Sequence, residues 1–197
     1  AMCRRGLVTC HTKTKFKPHS DRPNEADLPN VLNREFDGHA PHTHVVSDLT
    51  YVRGAWCYSC LLIDLYNREI VGHATSARKD AALVKAAFAT VAFWLFEIDV
   101  FHTDRGSEFD NAAIDEMLEI FGVTRSLSKK VCPYNNAVDE SANKTLKAEF
   151  ANREDFEDLR DLQVKLSNYV WWYNNERMHS TLGNMSPVEF RKAGLSL

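Results

Sequence analysis

Apolar and polar positions alternate along three successive runs between residues 43 and 75, THVVSDLTYV, AWCYSCLLIDLY and REIVGHATS. A period of two marks strands that turn one face to a core. The breaks between them, Arg53-Gly54 and Tyr66-Asn67, are short enough for hairpins, which predicts an antiparallel meander. The next run, DAALVKAAFATVAFWLF, is alanine-rich and apolar on most sides, and predicts a buried helix over 80–96. IDVFHTD follows as a short inner strand. Asn111 is placed to cap a helix over AAIDEMLEIFG, with Gly122 ending it, and VTRSLS reads as a fifth strand. The polar stretch KKVCPYNNAV leads into a helix over 139–150, and a longer one runs from about 155 to 172. Three antiparallel strands, then helix, strand, helix, strand, make an α/β chain with a mixed five-stranded sheet flanked by helices. Ligand sites in such sheets gather at the carboxyl ends of strands, where Asp104 stands.

The length of 197 residues suits one domain with an appended segment, and 44% hydrophobic content supports a sizeable core. Residues 1–34 are polar, basic and hold Pro18, Pro23 and Pro29, so they read as a linker or arm ahead of a unit spanning 35–197. The net charge of −3 speaks against nucleic acid, but its distribution does not. Residues 1–22 carry Arg4, Arg5, Lys13, Lys15, Lys17 and Arg22 against Asp21 alone, and Arg125, Lys129, Lys130, Lys144 and Lys147 form a second basic group. No apolar run approaches the roughly 18 residues that cross a bilayer, and the first residues lack the apolar centre of a signal peptide, so a cytoplasmic protein is expected. Cys57 and Cys60 form a C-x-x-C, but an offset of three along a strand sends them to opposite faces. Two packed thiols are expected there rather than a zinc site.

The candidate chemistry lies in carboxylates. Asp48 sits within the first strand, Asp104 ends the fourth after 55 intervening residues, and Glu140 follows after 35 more, near the start of a helix. Brought to one sheet edge, three carboxylates would repel one another and raise their pKa values unless a cation neutralised them. Oxygen ligands of this kind suit Mg²⁺ or Mn²⁺. Asp48 could equally cap a backbone group, Asp104 begin a turn, and Glu140 favour a helix N-terminus. Asp64, Glu108 and Asp139 are rival acids, and spacing alone does not separate them. Along helix 139–150, Glu140, Lys144 and Lys147 share one face, while Ala142, Leu146 and Phe150 share the other. An acid beside two lysines suits a phosphodiester substrate, and also suits a surface Glu–Lys pair.

The stretches VVSDLTYV, HTDRGSEF and PYNNAVDESANKTLKAE, in that order, with WYNNERMHSTLGNMSPVEF near the C-terminus, resemble the integrase-core (DDE-type) transposases of bacterial insertion sequences, relatives of retroviral integrases. The resemblance covers about residues 30–190. It implies a ribonuclease H-like fold, with Asp48, Asp104 and Glu140 as catalytic metal ligands holding Mg²⁺ or Mn²⁺, two ions in all. It implies DNA contacts by Lys144 and Lys147, with Lys129, Lys130, Asn143 and Tyr134 as further candidates, and a homo-oligomer acting on transposon ends and target DNA. The implied reaction is DNA cleavage and 3′-end joining. The alternatives are a nuclease that only hydrolyses and an inactive DNA-binding remnant. Relatives usually carry tryptophan where this chain has Val45, and Tyr-Asp-Asn where it has Tyr134-Asn135-Asn136. No helix-turn-helix segment is legible, which implies a catalytic part separated from its specificity module. His102, one alternation from Asp104, is either a support of the site or a packed histidine. The loop from Ser128 to Asn136 is expected to be mobile without DNA, leaving Glu140 poorly placed without metal.

Overall fold

A computed structural model describes residues 30–33, 35–52, 57–128 and 137–197. Strands β1 (His44–Val52), β2 (Cys57–Asp64) and β3 (Ile70–Ser76) form the expected antiparallel meander. Helix α1 (Ala81–Phe88) leads to β4 (Val100–Thr103), and α2 (Ala112–Phe121) to β5 (Thr124–Leu127). Both later strands run parallel to β1, and the sheet order is β3-β2-β1-β4-β5. Helix α3 (Ala137–Leu146), a π-helical turn at Lys147–Ala151, α4 (Leu159–Asn175) and α5 (Pro187–Lys192) complete the described chain. This is the mixed five-stranded sheet read from the hydrophobic pattern.

Alternation divides the sheet between two cores. Val46, Val52, Leu61 and Ile63 face α3 and α4, where Leu146, Phe150, Leu162, Leu166 and Tyr169 close over them. Val45, Cys60, Leu62 and Phe101 face α1 and α2 and meet Val84, Phe88, Ile114 and Leu118. Leu61 and Leu62, successive and both 2% exposed or less, fill different cores, each burial contributing roughly 1.5–3 kcal/mol. Cys57 and Cys60 divide in the same way, which bears out two packed thiols. Val45 is fully buried on the α1 side, so the position where relatives usually carry tryptophan is a packing site here.

Several boundaries differ from the sequence reading. The buried helix expected over 80–96 stops at Phe88. Thr90 Oγ1 donates to Ala87 O at 2.7 Å and accepts from the His73 amide at 2.9 Å, tying the chain to β3 instead of a next helical turn. Trp94 and Phe96 beyond it are exposed. Helix α4 begins at Leu159 rather than about 155, because Asp158 caps it by accepting from Asp161 N at 2.7 Å. The helix expected over 139–150 starts at Ala137 and widens into the π turn from Lys147. Asn111 and Gly122 act as expected: Asn111 Oδ1 accepts from Ile114 N, and Gly122 takes a left-handed φ of +70°. The packing also reaches upstream of residue 35. Leu32 is buried in the α3–α4 core, and the amides of Val31 and Leu32 donate to Ser126 Oγ.

Candidate active site

The parallel register of β1 and β4 places the two aspartates. Ser47 pairs with Thr103, so the next residues, Asp48 and Asp104, emerge level on neighbouring strands. Residues level on neighbouring strands point to the same face. Here it is the face covered by α3, since Asp48 alternates with Val46 and Asp104 with His102. Two carboxylates separated by 55 residues in the chain thus become neighbours at a strand end.

Each is held by short local bonds. Asp48 Oδ1 accepts from Leu49 N at 2.8 Å, and its Oδ2 accepts from Asn143 Nδ2 on α3 at 3.0 Å. Asp104 Oδ1 accepts from Gly106 N at 3.0 Å, an Asx turn that bends the chain away after β4. These bonds do not compensate the charges. Burial, then the negative charge of Asp104, pushes the Asp48 carboxyl up to about 6. Burial, joined by Glu108, raises Asp104 as well. Carboxylates side by side and only partly offset by the Lys79 ammonium, with only oxygen donors, match a divalent cation of the Mg²⁺ or Mn²⁺ kind.

Glu140 is not drawn to the pair. It lies in the first turns of α3, partly exposed, and Lys144 Nζ stands 3.4 Å from its Oε2. Among the described residues, no three His, Cys, Asp or Glu side chains are gathered closely enough to hold an ion. Lys144 and Lys147 are exposed, whereas Asn143 is 7% exposed and bonded to Asp48. Lys129, Lys130 and Tyr134 lie outside the described residues, as does the rest of the stretch expected to be mobile after Ser128.

Two of the rival acids, Asp64 and Glu108, lie at different ends of the sheet, and the Asp139 side chain lies outside what the structure describes. Asp64, at the far end of β2 beside Val45, is buried and accepts from the amides of His42 and Tyr66. Glu108 is buried beside Asp104 and pairs with Lys79 at 2.8 Å. His102 is 1% exposed and bonds through both ring nitrogens to Ser126 and Ser128, so it is a packed histidine tying β4 to β5. Arg125 leaves the expected basic group: its side chain is 8% exposed and pairs with Asp110 and Asp115. Gly106 sits in the turn after Asp104, and a Cβ there would come within 2.3 Å of Glu108 Oε1.

The C-terminal stretch packs back on the π turn. Arg177 grips Glu149 with Nε and Nη2, both 2.8 Å from carboxylate oxygens, while His179 stacks edge-on against Tyr173. Ser186 and Glu189 form a reciprocal capping box that starts α5. WYNNERMHSTLGNMSPVEF therefore supports the α3 side of the sheet from behind.

Two family models described as integrase core domain match residues 38–133 and 121–187. The transposase of insertion sequence IS904 from Lactococcus lactis is 32% identical over 192 residues, covering 95% of this chain and 76% of that protein. The transposase of IS3A from Escherichia coli K12 is 31% identical over 203 residues, covering all of this chain and 70% of its own length. The chain belongs to the integrase-core transposases of insertion sequences. The catalytic core of bovine immunodeficiency virus integrase superposes with a TM-score of 0.55 at 16% identity, over 78% of this chain and 96% of that one. A chain of the simian T-cell lymphotropic virus intasome, solved with a PP2A regulatory subunit, gives 0.66 at 13%, over 88% and 62%. Those likenesses place the sheet and its helices in the ribonuclease H-like fold. Among the described residues, no helix of the transposase is long and apolar enough to cross a membrane.

Proposed function

We propose that Asp48 and Asp104, joined by Glu140, are the catalytic metal ligands of a DNA strand-transfer site that cleaves a transposon end and joins its 3′-hydroxyl to a target. The observation that carries this reading is the level placement of two half-buried aspartates, Asp48 within β1 and Asp104 just past β4, with the charge of Asp104 acting on Asp48. Divalent ions bound there, two in the full set, would supply activation of the attacking oxygen and stabilisation of the leaving one. The chain's own groups do the rest. Leu49 N and Asn143 Nδ2 fix the Asp48 carboxylate, and Gly106 N fixes that of Asp104. Glu140 completes the set by giving up its 3.4 Å contact with Lys144, a weak tie on an exposed face.

The released Lys144, with Lys147 beside it, then faces the DNA backbone. Lys129, Lys130 and Tyr134, which precede α3 in the sequence, and the basic residues within 1–34 extend that contact. Asn143 acts by orienting Asp48 rather than by reading DNA. The enzyme works as a homo-oligomer on paired ends, in the cytoplasm of a bacterial cell. Attack by water or by a 3′-hydroxyl needs no protein nucleophile.

The test is a joining reaction with Mg²⁺, a pre-cut terminal inverted repeat bearing a free 3′-hydroxyl, and a supercoiled target plasmid. Joined product from the wild-type protein, abolished in Asp104→Asn and Glu140→Gln, is expected. Hydrolysis without joining points to a nuclease, and cleavage unaffected by Asp104→Asn removes these carboxylates from the mechanism.

A further inference from the structure

Beside the aspartates stands a cation that the reaction as described does not use. Lys79, next to the N-cap of α1, places its ammonium 2.8 Å from Glu108 Oε1. The Glu108 carboxylate lies against Gly106, where even a methyl group would meet it at 2.3 Å. The amide of that same glycine is bonded to Asp104 Oδ1 at 3.0 Å. One backbone turn therefore carries Asp104 on its hydrogen-bonding side and the Lys79–Glu108 pair against its open side. The charges reach the site: Lys79 acts on both aspartates, and Glu108 acts on Asp104. Lys79 is 43% exposed at its side chain and Glu108 only 4%, so the carboxylate is the fixed member and the ammonium is the one it holds in place.

We infer that the Lys79–Glu108 pair sets the divalent-cation affinity of the aspartate site, with Lys79 as a resident positive charge that weakens ion binding and Glu108 as its opposing anchor. The inference rests on the reading of Asp48 and Asp104 as ion ligands. In the metal-free protein the ammonium partly offsets the crowded carboxylates, and an arriving dication must enter against its repulsion. Both residues act through the field at the aspartates and are positioning residues, not catalytic ones.

A charge cycle tests this by Mn²⁺ titration of the full chain without DNA, followed by electron paramagnetic resonance of the free ion at pH 7.5. Lys79→Met removes a positive charge and is expected to tighten Mn²⁺ binding about three- to tenfold. Glu108→Gln removes a negative charge and is expected to weaken it by a similar factor. The double variant returns close to wild type, Lys79→Arg behaves as wild type, and the differences shrink between low and high salt. A merely structural role would weaken binding in both single variants. That result, or no change in either, overturns the inference while leaving the metal-site reading intact. Should Lys79→Met lose its native circular dichroism, Lys79→Gln carries the same expectation. Absence of Mn²⁺ binding by the wild type, or binding unaffected by Asp104→Asn, overturns both.

Discussion

Replacing Asp48 by asparagine should stabilise the metal-free protein while destroying its function. The folded protein raises this carboxyl from 3.8 to about 6, chiefly by burial and then by the charge of Asp104. Such a rise corresponds to about 3 kcal/mol of unfavourable ionisation at neutral pH. Partial exposure trims that penalty, and asparagine must share its oxygen between the Leu49 and Asn143 donors, so a net gain of about 1–2 kcal/mol is expected. For a chain of this size that is a melting shift of roughly 4 °C. The sign follows from proton linkage. A carboxyl with a raised folded pKa binds its proton more tightly in the native state, so its contribution is full below 3.8 and lost as pH rises through about 6. The advantage of Asp48→Asn should be complete at pH 7.5 and gone by about pH 4. His179, held down to about 4 by burial and by Arg177, changes stability in the opposite sense but equally in both proteins, and cancels in the difference. Urea unfolding in EDTA at pH 7.5, 6 and 4.5 measures it, and added Mn²⁺ should stabilise the wild type only. An Asp48→Asn protein less stable than wild type at pH 7.5, or a difference that ignores pH, would refute the picture of a strained, cation-seeking pair.

Three further outcomes are expected. Gly106→Ala forces a methyl group into the Glu108 carboxylate, so it should cost about 1–3 kcal/mol in urea unfolding and lower Mn²⁺ affinity. Arg177→Ala breaks the two-pronged grip on Glu149 and should cost about 1–3 kcal/mol near neutral pH. Because Arg177 holds the Glu149 carboxyl below its ordinary range, that contribution is present above the ordinary carboxyl pKa and should fade as pH falls through the lower folded value. Lys144→Ala and Lys147→Ala should weaken DNA binding alike for all sequences, each reducing the salt slope by about one, as measured by fluorescence anisotropy between 50 and 200 mM salt.

What the chain alone determined follows from local rules. Period-two alternation in three runs settled the meander, since a slip of one residue would turn Val46 and Leu61 out of one core and into the other. Asn111 and Gly122 punctuated α2 because capping and left-handed backbone are chemistry of single residues. The C-x-x-C divided between faces for the same alternation reason. The end of α1 was not legible: alanine-rich sequence favours helix through residue 96, and only the bonds of Thr90 to Ala87 and His73 stop it.

Pairings across long separations belonged to the tertiary structure. Asp48 and Asp104 were candidates by position, but the parallel register makes them level and their mutual repulsion real. Arg125 counted as a surface cation until Asp110 and Asp115 closed on it. Glu108 is indistinguishable from the other acids by sequence, and Lys79 belongs to no motif, because no spacing along the chain relates residues 79 and 108. Electrostatic partners depend on distance through space, so a sequence names the charges while the fold decides which of them meet.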